Sequence, residues 1–130
     1  MPRPPSRYPT ELELEILKIL WRDGPAPVRD VREALVPYKD LAYTSVMTIM
    51  NIMTRKGYLR RSKQDGRYIY SAKTAEQTVT RQMLSDLVNR VFDGSAVAVM
   101  LNLLAVHDVD ARELEHLCRL VNRKSREEKP

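Results

Sequence analysis

Residues 40 to 73, DLAYTSVMTIMNIMTRKGYLRRSKQDGRYIYSAK, leave this chain little freedom in what it can become. Val46, Ile49, Met50 and Met53 recur at i, i+3, i+4 and i+7, a stripe that buries one side of a helix from about Ala42 to Lys56. The other side carries Thr44, Ser45, Thr48, Asn51 and Arg55, short hydrogen-bonding groups plus a cation. Beyond Lys56-Gly57 come two strand-like runs, Tyr58 to Lys63 and Arg67 to Ala72, set around Asp65-Gly66, the strongest short hairpin signal. The hairpin holds Arg60, Arg61, Lys63 and Arg67, and its only acid is Asp65. A polar-faced helix running into a basic hairpin is the layout of a winged helix, whose helix reads base edges while its wing rests on phosphates.

The sequence on the N-terminal side supplies the rest of such a domain. Thr10 and Glu13 form a capping box ahead of Leu12, Ile16, Leu17, Ile19 and Leu20, and Asp23-Gly24 ends that helix, with Trp21 as a core anchor near its end. After Gly24-Pro25-Ala26-Pro27, a short second helix is marked by Val28, Val31, Ala34 and Leu35 and stopped by Pro37. A short helix, a polar connection and a longer helix make a helix-turn-helix, and the length of the connection from Val36 to Leu41 suits the winged subclass. The first nine residues, with four prolines, Arg3 and Arg7, read as a flexible arm.

Charge is divided unevenly. Residues up to 73 contain 14 Lys/Arg against 8 Asp/Glu, whereas those beyond contain 8 against 9, so an anionic partner belongs with the first part. No run approaches 18 apolar residues and the start lacks the apolar segment of a signal peptide, so no membrane insertion is expected and the cytoplasm is the expected compartment. Cys118 is the sole cysteine, and with His107 and His116 as the only other soft ligands no metal site is expected. Cys118 reads as a small interface side chain.

Beyond residue 73, Thr74 and Gln77 form a second capping box before Val79, Met83, Leu84, Leu87, Val88 and Val91. Gly94-Ser95 then punctuates the chain. Ala96 to Val106 is an almost wholly apolar helix in which Asn102 is the only polar side chain, so burial on nearly all sides is expected. Asp110 with Glu113 caps a last helix carrying Leu114, Leu117, Leu120 and Val121. Three short helices cannot enclose a helix so apolar, and pairing with a second copy is the simplest solution. The expected organisation is therefore an arm over 1–9, a winged-helix domain over 10–73 and a dimerisation region over 74–130. The fold class is mainly α with a small β-hairpin wing (α+β). The expected dimer interface comprises Leu84, Leu87, Val88, Val91, Val99, Met100, Leu103, Leu114, Leu117 and Val121.

The order of segments, TELELEILKILW, VRDVREAL, LAYTSVMTIMNIMTRKGYL, GRYIYSA, FDGSAVAVMLNLL and DARELEHLCRLV, resembles the penicillinase and methicillin-resistance repressor family along almost the whole chain. The AYT block with its RKG end is the most specific part. The resemblance implies a homodimeric winged-helix repressor on a palindromic operator of a resistance operon, released when a membrane sensor-protease answers the antibiotic. It places Tyr43, Thr44, Ser45, Thr48 and Arg55 on the reading helix, with Lys56, Arg61, Lys63 and Arg67 on phosphates. Arg55, at the far end of that helix, is grouped with the phosphate contacts. The family's cleavage site, an Asn-Phe pair in the fifth helix, corresponds to Asn102-Leu103, where Leu replaces Phe.

From the residues themselves, Met47 and Ile52 are candidates for thymine methyls and Asn51 for adenine. The partners expected are a double-stranded DNA inverted repeat, a second copy of the chain and the sensor-protease. No cofactor is expected, and no catalytic set is apparent: there is no Gly-rich phosphate loop, and Glu11, Glu13 and Glu15 alternate along one helix and cannot converge. The second reading is a winged-helix regulator that senses a small molecule among its C-terminal helices.

Overall fold

Glu13 does more than close the cap of the first helix. In the computed structural model, which describes residues 8–128, Thr10 and Glu13 bond reciprocally: the Glu13 amide donates to Thr10 Oγ1 at 3.2 Å and the Thr10 amide donates to Glu13 Oε1 at 2.9 Å. Helix α1 (Glu11–Asp23) follows, then α2 (Val28–Leu35) and α3 (Tyr43–Lys56). The hairpin is β1 (Leu59–Gln64) and β2 (Arg67–Ala72), and α4 (Glu76–Val91), α5 (Ala96–Val106) and α6 (Ala111–Glu128) complete the chain. Among the described residues, six helices with one two-stranded hairpin give the helix-rich winged-helix class that the sequence predicts. The arm expected over residues 1–9 lies largely outside the described residues.

Helix α3 contains Thr44, Val46, Thr48, Ile49, Ile52 and Thr54, β-branched residues with weak intrinsic helix preference, so it forms because it packs. Val46, Met50 and Met53 are fully buried against Ile16, Leu17 and Leu20 of α1 and Val31 and Leu35 of α2. Each such side chain contributes about 1.5–3 kcal/mol, more than any single polar contact around it. Ile49, the fourth member of the stripe, is partly buried on the same core. Gly57 ends the helix in the left-handed region (φ 90°), and the Tyr58 amide donates back to Met53 O at 3.0 Å.

Arg32 fixes the connection between α2 and α3. Its Nε donates to Leu41 O at 2.8 Å, satisfying a carbonyl just ahead of α3. The hairpin is antiparallel with Lys63 opposite Tyr68 and Arg61 opposite Tyr70. Asp65 and Gly66 both take positive φ, 50° and 78°, the geometry of a type I′ turn. Leu59 and Tyr70 bury the base of the hairpin in the core. An isolated bridge supports it: Ala26 and Tyr70 exchange two backbone hydrogen bonds of 2.9 Å. Trp21, expected as a core anchor, is partly buried against the core and also donates Nε1–H to Thr74 O at 2.9 Å.

Compact units divide at Ser85 and Asp86, within α4 rather than before it. In the first unit, Val79 of α4 is buried. In the second, Ser95 caps α5 through the Ala98 amide at 3.1 Å; Asp110, as the capping pattern predicts, caps α6 through the Glu113 amide at 2.8 Å. The expected burial of α5 is not supplied by its own chain. No residue of α5 is buried, and Val97, Leu101 and Val106 are 66%, 62% and 72% exposed. Eleven residues give only three turns, and the segments beside them are helices whose own apolar positions Leu87, Val91, Leu117 and Val121 are also exposed. No single helix among the described residues is long and apolar enough to cross a membrane.

Candidate nucleic-acid interface

The outward side of α3 presents Tyr43, Thr44, Ser45 and Thr48, all exposed, with Arg55 exposed at the far end. The Thr48 hydroxyl donates to Thr44 O at 2.9 Å. Its hydrogen is thereby used within the helix, and what Thr48 offers outward is oxygen lone pairs and a methyl group. Such a group accepts from adenine N6 or cytosine N4 or touches a thymine methyl. Met47 is partly buried against the core, and Ile52 is likewise intermediate in exposure.

On the wing, Arg60, Lys63 and Arg67 are exposed and have no acidic partner among the described residues. Alternation puts Arg61, Lys63, Tyr68 and Tyr70 on one face of the hairpin. The Arg61 guanidinium lies 4.2 Å from the centre of the Tyr68 ring and the Lys63 ammonium 5.9 Å from it. Stacking of this kind holds a long cationic side chain extended and limits the rotamer freedom lost when it meets an anion.

Between the wing, the first half of α3 and the start of α2 lies an open groove of about 400 Å³. Tyr43 and Met47 form one wall, Arg67, Tyr68 and Tyr70 the other, and Arg29 with Pro27 and Val28 an end. Arg29 pairs only loosely with Glu33, at 3.6 Å on an exposed helix face. The groove is thus lined by three tyrosines and has an arginine on two sides. Sequence reasoning missed Arg29 and Tyr68. Tyr68 was findable, since it alternates with the buried Tyr70; the position of Arg29 depends on how α2 packs.

Two of the expected contact residues have polar partners within the protein. Lys56 Nζ lies 3.0 and 3.2 Å from the two carboxylate oxygens of Glu13, which is 4% exposed. A buried carboxylate needs a cation, and Lys56 supplies it, tying the end of α3 to the start of α1. Burial first, and then the Glu13 carboxylate, raise the Tyr58 phenol above its ordinary range, with Lys56 opposing. Asn51, expected to face a base, directs its carbonyl oxygen at the wing: the Tyr70 hydroxyl donates to Oδ1 at 2.6 Å and Arg61 Nη1 at 3.1 Å.

In the second unit, Asn102 and Leu103 are both exposed in mid-helix, and Asn102 Nδ2 donates to Ala98 O at 2.8 Å. Of the expected interface positions, Leu84, Leu87, Val91, Met100, Leu103, Leu117 and Val121 are exposed, and Val88, Val99 and Leu114 intermediate. No group of three or more His, Cys, Asp or Glu among the described residues has the geometry of a metal site, and Cys118 is exposed.

Comparison with known proteins agrees with this architecture. The methicillin resistance regulatory protein MecI of Staphylococcus aureus strain N315 is 23% identical over 112 residues, covering 86% of this chain and 91% of its own. The transcriptional regulator BlaI of Mycobacterium tuberculosis is 31% identical over 111 residues, covering 84% of this chain and 79% of its own. Among solved structures, the transcriptional regulator Tm0710 of Thermotoga maritima superimposes with a TM-score of 0.52 at 16% identity, covering 93% of this chain and 80% of that one. At that identity the likeness is one of fold. The sequence model of the penicillinase repressor family matches residues 9–123. The chain belongs to the penicillinase repressor family, whose members are transcriptional repressors built on a winged helix.

Proposed function

We propose that this chain is a sequence-specific repressor that binds double-stranded DNA as a homodimer on an inverted repeat. The observation that carries it is the common placement, in one unit, of an exposed Thr/Ser face on α3 and unpaired wing cations across an open groove. Lys63, Arg67, Arg55 and the remaining donors of Arg61 neutralise phosphates and supply most of the affinity. Tyr43, Thr44, Ser45 and Thr48 select among bases, and Met47, seated in the groove wall, adds apolar contact. Lys56 has no part in this set, because its charge is committed to Glu13.

The uncovered apolar side chains of α5, with those of α4 and α6, are the surface on which two copies join. Two reading helices held about 34–36 Å apart meet successive major grooves, so the target has two half-sites one helical turn or a multiple apart. The likeness to MecI, a methicillin resistance regulatory protein, supports a target operon of the β-lactam-resistance type, and catalysis has no part in the function. Release follows from cutting after Asn102 by a membrane sensor-protease. Asn102-Leu103 is accessible, but it lies in regular helix, so the segment must unwind before a protease can hold it extended. A repressor with these two partners works in the cytoplasm.

A gel-shift assay tests the proposal on a duplex from the region upstream of the chain's own coding sequence against a random duplex of equal length. Selective retention that weakens with salt is expected. Equal retention of both would sink the repressor function.

A further inference from the structure

Outside the apolar core, α3 and the wing meet, among the described residues, at one polar point, Asn51 Oδ1. Two wing residues that face each other across the strands donate to it: the Tyr70 hydroxyl at 2.6 Å and Arg61 Nη1 at 3.1 Å. Tyr70 is 1% exposed and its backbone is paired with Ala26 on both sides, so its hydroxyl is anchored and has no water to turn to. Arg61 continues from Asn51 to the face of Tyr68. A chain of contacts thus runs from α3 through one amide oxygen to the outer half of the wing.

Guanidinium is a donor only, so its approach settles which end of the Asn51 amide faces the wing. With Oδ1 accepting twice, Nδ2 is the only part of that amide without a partner among the described residues. The bidentate adenine contact requires a free carbonyl oxygen beside the NH₂, and Asn51 lacks one.

We propose that Asn51 is a positioning residue that sets the attitude of the wing against α3, so that phosphate contacts by the wing and base contacts by the helix are made together or not at all. The proposal rests on the assignment of α3 and the wing to DNA. It differs from a merely stabilising role in one respect: Asn51 and the wing-tip cation Lys63 are energetically coupled in DNA binding although neither touches the other.

A double-mutant cycle on the full chain reads that coupling, with affinity measured by fluorescence anisotropy on the upstream duplex and a scrambled duplex of the same composition. Lys63→Ala alone is expected to weaken binding to the upstream duplex about five-fold, and less than about two-fold when combined with Asn51→Ala. Asn51→Asp keeps acceptor oxygens for both donors and retains the full dependence on Lys63. Tyr70→Phe removes one oxygen and leaves the ring in the core, so it reports the same loss of coupling should Asn51→Ala fold poorly. Equal effects of Lys63→Ala in the wild-type, Asn51→Ala and Tyr70→Phe backgrounds would overturn the proposal while leaving DNA recognition intact. Equal binding of the two duplexes by the unmutated chain would instead overturn the assignment of α3 and the wing, and the proposal with it.

Discussion

Lys56 and Lys63 carry the same charge seven residues apart, yet one neutralises a buried carboxylate and the other stands in solvent beside Tyr68. Salt dependence separates them. Lys63→Ala and Arg67→Ala should each lower the slope of log affinity against log salt by about one unit, whereas Lys56→Met should leave it unchanged. A lower slope for Lys56→Met would return Lys56 to the phosphate contacts. Replacing Thr44 and Thr48 together by Ala should reduce the preference for the upstream duplex over random DNA more than it reduces bulk affinity, which competition binding would reveal. Glu13→Ala removes the acceptor of both the Thr10 amide and Lys56. Lys56 keeps 35% of its side-chain surface in water, so the loss should lie near the lower end of about 1–3 kcal/mol in urea denaturation; no change in midpoint would contradict the role given to Glu13. At this scale the sequence was half legible. The capping box of Thr10 and Glu13 is local and could be read directly. The bonds of Glu13 to Lys56 and of Asn51 to Tyr70 join positions 43 and 19 apart, and periodicity says nothing of polar partners brought together by packing.

Elements were read more fully than their partners. The apolar run from Ala96 to Val106 matches α5 residue for residue, and Asp65-Gly66 makes the turn that its composition predicts. The hairpin starts one residue later than expected, at Leu59, because Tyr58 still belongs to the cap of α3. The Ala26 bridge was not foreseen, since a single residue between prolines carries no alternation to read. The wing draws its burial from Leu59 and Tyr70 at its base, so its tip depends on turn geometry. Gly66→Ala, forced to φ 78°, should cost about 1–2 kcal/mol locally. Hydrogen exchange should then quicken across β1 and β2 while α1 and α3 keep their protection; uniform quickening would show that the wing and helices open as one unit.

Over the whole molecule, the first unit buries a core with α1, α2, α3 and the wing, while the helix with the highest apolar content remains bare in the single chain. Sedimentation at micromolar concentration should give twice the chain mass. Met100→Glu, at a half-exposed site on α5, should give single chains that keep their helical circular dichroism and lose preference for an inverted repeat over one half-site. Dimers that persist in this variant would move the interface elsewhere. If the bare surface of α5 pairs two copies as proposed, gene dosage also becomes a control variable. Where paired chains are scarce, their number follows the square of the supply, so halving synthesis leaves about a quarter of them. Repression by such a pair would fade faster than the protein itself is diluted, and a dividing cell that stopped making the chain would reopen the operon before the pool was gone.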